Sequence, residues 1–321
     1  MNAMTVCASH SPLMMTGIEE SSAGAHRSFF DAIRAAADRV KAFDPELVVL
    51  FSPDHFNALY YDLMPSFCVV GGATASGDWH LPTGELRIPR DIAIDLARAL
   101  QRDGFDPALS LKLRVDHGMT VALRQIAGGY TAYPVLPIYI NCAADPRPSC
   151  RRSREFGATV GRFVATLGRR VLVIGSGGLS HDPPTPRIAQ CTPEQAARIT
   201  VRHEATPEVF EQRERRVVEL ARALAAGAGP LLPPDEAWDR RVVDALLAGD
   251  LESFDRYTDD DIDRTGGFGG HEIRCWIAAF AAMQALDPRS AAVARLDYYR
   301  IIPEWITGMA ITSTRFEAQN R

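Results

Sequence analysis

The chain has 321 residues, of which 46% are hydrophobic and 23% charged, and its formal net charge is -5. This mildly acidic composition, without a basic block, argues against a nucleic-acid partner. No apolar run approaches the roughly 18 residues that span a bilayer, and the N-terminus lacks the pattern of a signal peptide. The six cysteines include no CxxC pair and are expected to be reduced thiols. We therefore expect a cytoplasmic globular protein that binds neither membranes nor nucleic acid.

Segments typical of strands alternate with segments typical of helices through the first 180 residues. Apolar runs predict strands at residues 5–8, 47–51, 66–70, 108–113, 135–140 and 171–174. Amphipathic patterns predict helices at residues 22–43, 89–102 and 151–167. This alternation predicts an α/β fold in which helices flank a central sheet that is mostly parallel or mixed.

The sequence changes character after residue 190. Residues 192–265 are rich in Ala, Arg and Glu, which predicts a helical insertion near 190–265 rather than an independent domain. A further helix is predicted from about 271 to 286, and closing strands are predicted at 296–302 and 305–311. We therefore expect residues 1–321 to form a single domain.

Two glycine clusters, at residues 175–178 and 266–270, invite a comparison with phosphate-binding loops. The first follows a predicted strand, but it lacks the GxGxxG spacing and the Lys-Ser/Thr of a Walker loop. A tight turn that passes close to a ligand or to another strand is the favoured interpretation. The second cluster is expected to supply unusual backbone angles or mobility.

Three histidines, His10, His55 and His181, each lie just after a predicted strand. Ligands of open α/β sheets bind beyond the carboxyl ends of the strands, so these side chains are expected to converge on one site. His117, in an Asp-His-Gly segment, and His271, next to Glu272, are further candidates.

The chemistry available to such a cluster is either metal binding or proton transfer. Two neutral imidazoles and one carboxylate can hold ferrous iron on one face and leave the other positions open for substrate and dioxygen. Zinc with a hydrolytic water would use similar ligands. Further histidines could act as acid and base near neutral pH. The residues alone do not decide which histidine has which role.

Six separated segments resemble motifs of the class III, LigB-type extradiol catechol dioxygenases. In chain order they are ASHSP at 8–12, LFSPDHFN at 50–57, VDHG at 115–118, GSGGLSHDPP at 175–184, GHEI at 270–273 and YYRIIPEW at 298–305. The similarity extends in order over nearly the whole chain.

The resemblance implies non-haem Fe(II) held by His10, His55 and Glu272, with His117 and His181 as the catalytic pair. We hypothesise that His181 is the base and His117 the acid. The implied activity is extradiol (meta) ring cleavage with O2 in the catabolism of aromatic compounds. The implied substrate is 3-(2,3-dihydroxyphenyl)propionate, with 2,3-dihydroxycinnamate as a second candidate, and the implied assembly is a homo-oligomer.

Three alternatives remain at this level. The chain could cleave a different catechol, it could be a non-redox metal-binding relative of the same fold, or it could be a zinc hydrolase that uses the same ligands. Within the ligand set, His271 could replace Glu272 as the third ligand, because the two residues are adjacent and either could reach a metal.

Overall fold

The computed structural model describes residues 2–18, 24–202, 206–288 and 294–314. The strands in these ranges are β1 (Ala3–Ser9), β2 (Leu47–Ser52), β3 (Phe67–Val70), β4 (Ala73–Ala75), β5 (Gly84–Glu85), β6 (Ala108–Ser110), β7 (Leu113–Val115), β8 (Val135–Ile140), β9 (Val171–Gly177), β10 (Ala294–Ile302) and β11 (Thr307–Thr314). The helices are α1 (Ala25–Phe43), α2 (Arg90–Arg102), α3 (His117–Ile126), α4 (Cys150–Ala165), α5 (Pro193–Thr200), α6 (Pro207–Ala225), α7 (Glu236–Ala248), α8 (Asp259–Thr265) and α9 (Ile273–Leu286).

An eight-stranded mixed sheet forms the centre, in the order β10-β11-β1-β9-β2-β8-β3-β6. Its middle strands β1, β9, β2 and β8 run parallel to one another, whereas β11 pairs antiparallel with β1 and β3 pairs antiparallel with β8. These four middle strands are buried along their whole length, as their continuous apolar runs predict. The predicted α/β fold with a mixed sheet and flanking helices is confirmed.

The predicted strand at 108–113 is wrong as a single element. It contains β6, which extends the edge of the large sheet, and the start of β7, which belongs to a separate three-stranded sheet of order β5-β4-β7. Leu111 and Lys112, between them, are exposed at a bend. A run of six residues is too short for its hydrophobic pattern to reveal such a break.

The segment predicted as a helical insertion does contain helices α5 to α8. Helix α6 packs against a short 3-10 turn, Pro303–Trp305, which lies between β10 and β11. The insertion therefore lies against the strands that close the sheet. The predicted start of the first helix at residue 22 lies outside the described residues.

Helices α4 and α9 pack against each other at very short range. A Cβ atom added to Gly157 would lie 2.2 Å from the Ala278 carbonyl oxygen, and one added to Gly161 would lie 2.2 Å from the Ala282 carbonyl oxygen. Two glycines one turn apart thus allow the two backbones to meet. Helix α9 begins immediately after Glu272.

No helix in the described ranges is both long enough and apolar enough to cross a membrane. The six cysteines are free, and all except Cys191 are buried, in agreement with the expectation of reduced thiols.

We predict that Gly157→Ala destabilises the protein by about 1–3 kcal/mol, because the added methyl group must push α9 away from α4. The loss should exceed the gain of about 1 kcal/mol that alanine offers over glycine in a helix. Chemical denaturation of the wild-type protein and of a graded series, Gly157→Ala and Gly157→Val, measures the effect. A Gly157→Ala variant as stable as the wild type would contradict the prediction.

Candidate active site

The histidines predicted to converge lie at one edge of the large sheet. His10 follows β1 and His55 lies three residues beyond β2, while His181 lies four residues beyond β9. Because β1, β9 and β2 are parallel neighbours, their carboxyl ends meet at this edge. His117, the first residue of α3, and Glu272, just before α9, reach the same place from other parts of the chain.

These five side chains are in mutual contact. The His10 ring centroid is 5.5 Å from that of His55 and 5.6 Å from that of His117, and the rings of His55 and His117 stack at 4.3 Å. Glu272 Oε1 lies 3.1 Å from His55 Nε2 and 3.6 Å from His181 Nε2. All five predicted site residues are therefore brought together in one cluster.

Backbone and serine acceptors fix the rings of His10 and His181. The Ser176 hydroxyl donates to the Gly118 carbonyl at 2.6 Å, so it must accept from His10 Nδ1, 3.1 Å away. His181 Nδ1 donates to the Leu179 carbonyl at 2.8 Å. In both rings the proton lies on Nδ1, which leaves the Nε2 lone pair available.

Carboxylates fix the other two rings in the same way. His55 Nδ1 lies 2.9 Å from Asp116 Oδ2, and His117 Nδ1 lies 2.6 Å from Asp78 Oδ2. Such a carboxylate partner orients an imidazole and makes its other nitrogen a better ligand or base. Asp116 also accepts from the Asn57 amide at 2.9 Å, so its position is itself fixed.

The fifth member, Glu272, directs one oxygen into the cluster. Its Oε2 accepts from the Gly178 amide at 2.5 Å, while its Oε1 faces His55 Nε2 and His181 Nε2. Lone pairs of a carboxylate and an imidazole can lie 3.1 Å apart only when a proton or a cation lies between them. This buried donor set fits a divalent metal ion well.

The distances between ring nitrogens also bring His117 close to His10 and His55. Ring nitrogens of His10, His55 and His117 all lie within 4.8 Å of one another, as metal ligands must. Asp78, Asp116 and His117 also meet this criterion, but both carboxylates already accept from histidine Nδ1 atoms. The region could thus hold a metal, and both His117 and Glu272 lie where a third ligand could accompany His10 and His55.

Burial and neighbouring charges shift the pKa values in opposite directions. Burial lowers the pKa of His10 to about 3, so this ring is neutral at neutral pH, as a metal ligand must be. Burial also opposes the charged form of His55, but Asp116 and Glu272 outweigh it and raise the pKa of His55. Likewise, Glu272 outweighs the effect of burial on His181 and raises its pKa.

The carboxylate responds to the same neighbours. Burial opposes the ionised form of Glu272, but His181 and His55 hold its pKa well below the usual range. Glu272 is therefore charged at neutral pH. In a metal-bound site, the cation would replace the proton that these groups otherwise share.

The glycine clusters explain how His181 fits. A Cβ atom on Gly178 would lie 2.4 Å from His181 Cε1, and one on Gly269 would lie 2.0 Å from His181 Nε2. His181 also donates its amide to the Gly266 carbonyl at 2.8 Å, and its carbonyl accepts from the Gly269 amide at 2.9 Å.

The tight turn predicted for the first cluster is wrong, because residues 175–177 belong to β9. The predicted close approach to another strand is seen at Gly175, where an added Cβ would lie 2.7 Å from Cys7 Sγ of β1. In the second cluster, Gly267 has the unusual backbone angle that was predicted, with φ at 73°.

His271, the neighbour of Glu272, lies outside the cluster. Its Nε2 is 3.0 Å from Asp263 Oδ1, and its Nδ1 is 2.6 Å from Arg274 Nη1. Both ring nitrogens are therefore engaged in a separate buried network. Burial lowers the pKa of His271 to about 4.

Three aspartates of the site were not identified as functional from the sequence. Asp78 and Asp116 orient the rings described above, and Asp54 caps the turn after β2 by accepting from the amides of Ala58 and Leu59. Burial, together with the charge of Asp116, raises the pKa of Asp54 to about 8. The Asp-His pairs at 54–55 and 116–117 were visible in the sequence, but each aspartate acts on a group other than the histidine that follows it.

A cavity of about 270 Å³ opens above the cluster. The five clustered side chains form its polar end, together with Asp78. Apolar residues line much of the remainder: Pro184, Ile199, Phe210, Val217 and Trp305. Two of the walls come from α5 and α6, so the helical insertion helps to enclose the pocket.

Comparisons with known proteins agree with this geometry. Residues 4–310 match the family model of the catalytic LigB subunit of aromatic ring-opening dioxygenase. A protein from Cupriavidus pinatubonensis, named 2,3-dihydroxyphenylpropionate/2,3-dihydroxicinnamic acid 1,2-dioxygenase, is 46% identical over 86% of this chain and 87% of its own length. Proteins of the same name from Photorhabdus laumondii and Rhodococcus rhodochrous are 42% and 40% identical, over 98% and 99% of this chain and 98% and 100% of their own lengths.

A solved structure, of an uncharacterized protein from Escherichia coli K12, aligns with 97% of this chain and 99% of its own at a TM-score of 0.49 and 13% identity, a likeness too weak to carry an argument. The family match and the sequence relatives are sufficient to assign the chain to a family. They cover most of the chain, including every member of the histidine–glutamate cluster. The chain belongs to the LigB family of aromatic ring-opening dioxygenases.

Proposed function

We propose that this enzyme opens the ring of 3-(2,3-dihydroxyphenyl)propionate by extradiol cleavage with O2, with 2,3-dihydroxycinnamate as a second substrate. The observation that carries the proposal is the buried histidine–glutamate cluster at the closed end of a cavity of about 270 Å³. The names of the relatives support the choice of substrate. The reaction would serve the catabolism of aromatic compounds.

We propose that Fe(II) is the metal and that His10, His55 and Glu272 hold it. The directed lone pairs of His55 Nε2 and Glu272 Oε1, 3.1 Å apart, support this set. When bound, Fe(II) would supply open positions for the two catechol oxygens and for dioxygen. The stacked ring of His117 then remains beside the ligands rather than among them.

His181 and His117 are the proposed proton-transfer groups. His181 Nε2 carries a lone pair directed toward the cluster, so it can take a proton from a catechol hydroxyl. Its proton would be stabilised by Glu272, which lies 3.6 Å away. His117, oriented by Asp78, is placed to return a proton during ring opening.

We also propose a domain organisation, an assembly and a location for the protein. Residues 1–321 would form a single domain, copies of the chain would associate as a homo-oligomer, and the enzyme would act in the cytoplasm. The continuous family match over residues 4–310 supports the first, and the resemblance to the family is the ground for the second. Sedimentation analysis of the purified protein would determine the assembly.

The decisive experiment is anaerobic loading with Fe(II), followed by oxygen uptake with 3-(2,3-dihydroxyphenyl)propionate and detection of the yellow ring-cleaved product. Uptake of O2 in proportion to catechol consumed is expected. If the enzyme prefers a different catechol, the same assay with a panel of alkyl, bicyclic and carboxylated catechols would identify it. Retention of zinc with hydrolytic activity, or metal binding without any turnover, would indicate the zinc-hydrolase or non-redox alternative instead.

We predict that Glu272→Ala loses stoichiometric iron, because the carboxylate is removed from the ligand set. His117→Ala should retain iron while losing turnover, since its ring is not a ligand in this proposal. Metal analysis after gel filtration, with circular dichroism as a check of folding, compares the two variants. The reverse pattern, iron lost by His117→Ala and kept by Glu272→Ala, would assign the third ligand position to His117.

We predict that His117→Ala and His181→Ala each lower kcat by about 10²–10⁴, the usual contribution of a positioned acid or base. His181→Ala should also lose the acidic limb of the pH–rate profile, because this variant lacks the proposed base. Steady-state oxygen uptake from about pH 5 to pH 9 measures both effects. Ring cleavage near the wild-type rate by either variant would remove that residue from the mechanism.

A further inference from the structure

The mouth of the catalytic cavity carries positive charge on helix α6. Arg213 and Arg216 both line the cavity, above its polar end. From their placement we propose that Arg213, assisted by Arg216, binds the side-chain carboxylate of the substrate and so sets the preference for carboxyalkyl catechols. This inference rests on the proposed function, because it concerns the same pocket and the same substrate.

Helix geometry directs Arg213 toward the substrate. Phe210, Arg213 and Val217 recur at intervals of three and four residues, so they share one face of α6. Phe210 and Val217 are partly buried cavity-lining residues, which identifies this face as the one that covers the pocket. Arg216, three residues after Arg213, lies on the adjacent turn of the same side.

Arg213 and Arg216 are both exposed residues. Among the described residues, no carboxylate forms an ion pair with Arg213 or Arg216. By contrast, Arg198, the third arginine at the cavity, has its Nη2 2.6 Å from Glu194 Oε1. The two α6 arginines therefore have charge available for an anionic ligand.

The acidic group nearest in sequence, Glu214, is already engaged. Its Oε2 lies 3.2 Å from His80 Nε2, and its Oε1 accepts from the Trp79 amide at 3.2 Å. Glu214 thus ties α6 to the segment after β4 rather than to the neighbouring arginines. The mouth keeps a net positive character, whereas the closed end carries Glu272 and Asp78.

This polarity fits a catechol that carries an anionic chain. The two hydroxyls would lie at the histidine–glutamate cluster, the ring between apolar residues such as Phe210 and Trp305, and the chain toward α6. A guanidinium can bind a carboxylate through two parallel N–H bonds, which a single ammonium cannot reproduce. A catechol without a carboxylate would leave Arg213 unused.

The test compares Arg213→Gln and Arg216→Gln on two substrates, 3-(2,3-dihydroxyphenyl)propionate and uncharged 3-propylcatechol. We expect the ratio of kcat/KM for the charged over the uncharged substrate to fall about tenfold or more for Arg213→Gln, mainly through KM, and less for Arg216→Gln. Arg213→Lys should recover part of the preference. Arg215→Gln is the matched control, because Arg215 is 74% exposed and pairs with Glu211.

The outcomes separate the two proposals. If the wild-type enzyme cleaves the propionate but Arg213→Gln leaves the substrate ratio unchanged, the carboxylate assignment is overturned and the proposed function stands. A ratio that falls equally for Arg215→Gln would likewise overturn it, since the effect would then be one of general charge. If the wild-type enzyme cleaves neither catechol, the proposed function fails and the carboxylate site fails with it.

Discussion

The burial of four imidazoles and one carboxylate within contact of one another is the constraint on which this structure depends. Such a group of polar side chains is costly to remove from water unless each has a partner. The protein provides one by giving every imidazole Nδ1 an acceptor: Ser176, Asp116, Asp78 and the Leu179 carbonyl. The opposite ring nitrogens and Glu272 Oε1 are left for a metal, substrate or proton. The same contacts that stabilise the cluster also orient it for catalysis.

The large sheet and the glycines determine how closely these groups can approach. Parallel pairing of β1, β9 and β2 places three histidines at one edge without any sequence proximity. Gly178 and Gly269 leave room for the His181 ring, and Gly157 with Gly161 lets the backbone of α9 lie close to α4. Close packing of this kind is tolerant of little change, because a single methyl group would displace backbone.

Parts of the fold outside the parallel strands complete the site. The segment between β4 and β5 of the small sheet contributes Asp78, which orients His117. The helical insertion contributes walls of the cavity and, through α6, two arginines that are not paired with carboxylates among the described residues. The end that would hold a metal is thus built from strand ends and from the starts of α3 and α9, and the end that would distinguish substrates is built on the insertion. This division allows substrate preference to change while the chemistry is kept.

The sequence alone determined most strands of the large sheet, most flanking helices, the helical insertion and the position of His10, His55 and His181 at strand ends, because hydrophobic periodicity is a local property. The resemblance to the family added the roles of all five site residues, which remain proposals. Only the tertiary structure showed that Asp116 holds His55 rather than the adjacent His117. It also separated β6 from β7. Hydrogen-bond partners and strand pairing are decided by packing between distant segments, and no local pattern encodes which segments will meet.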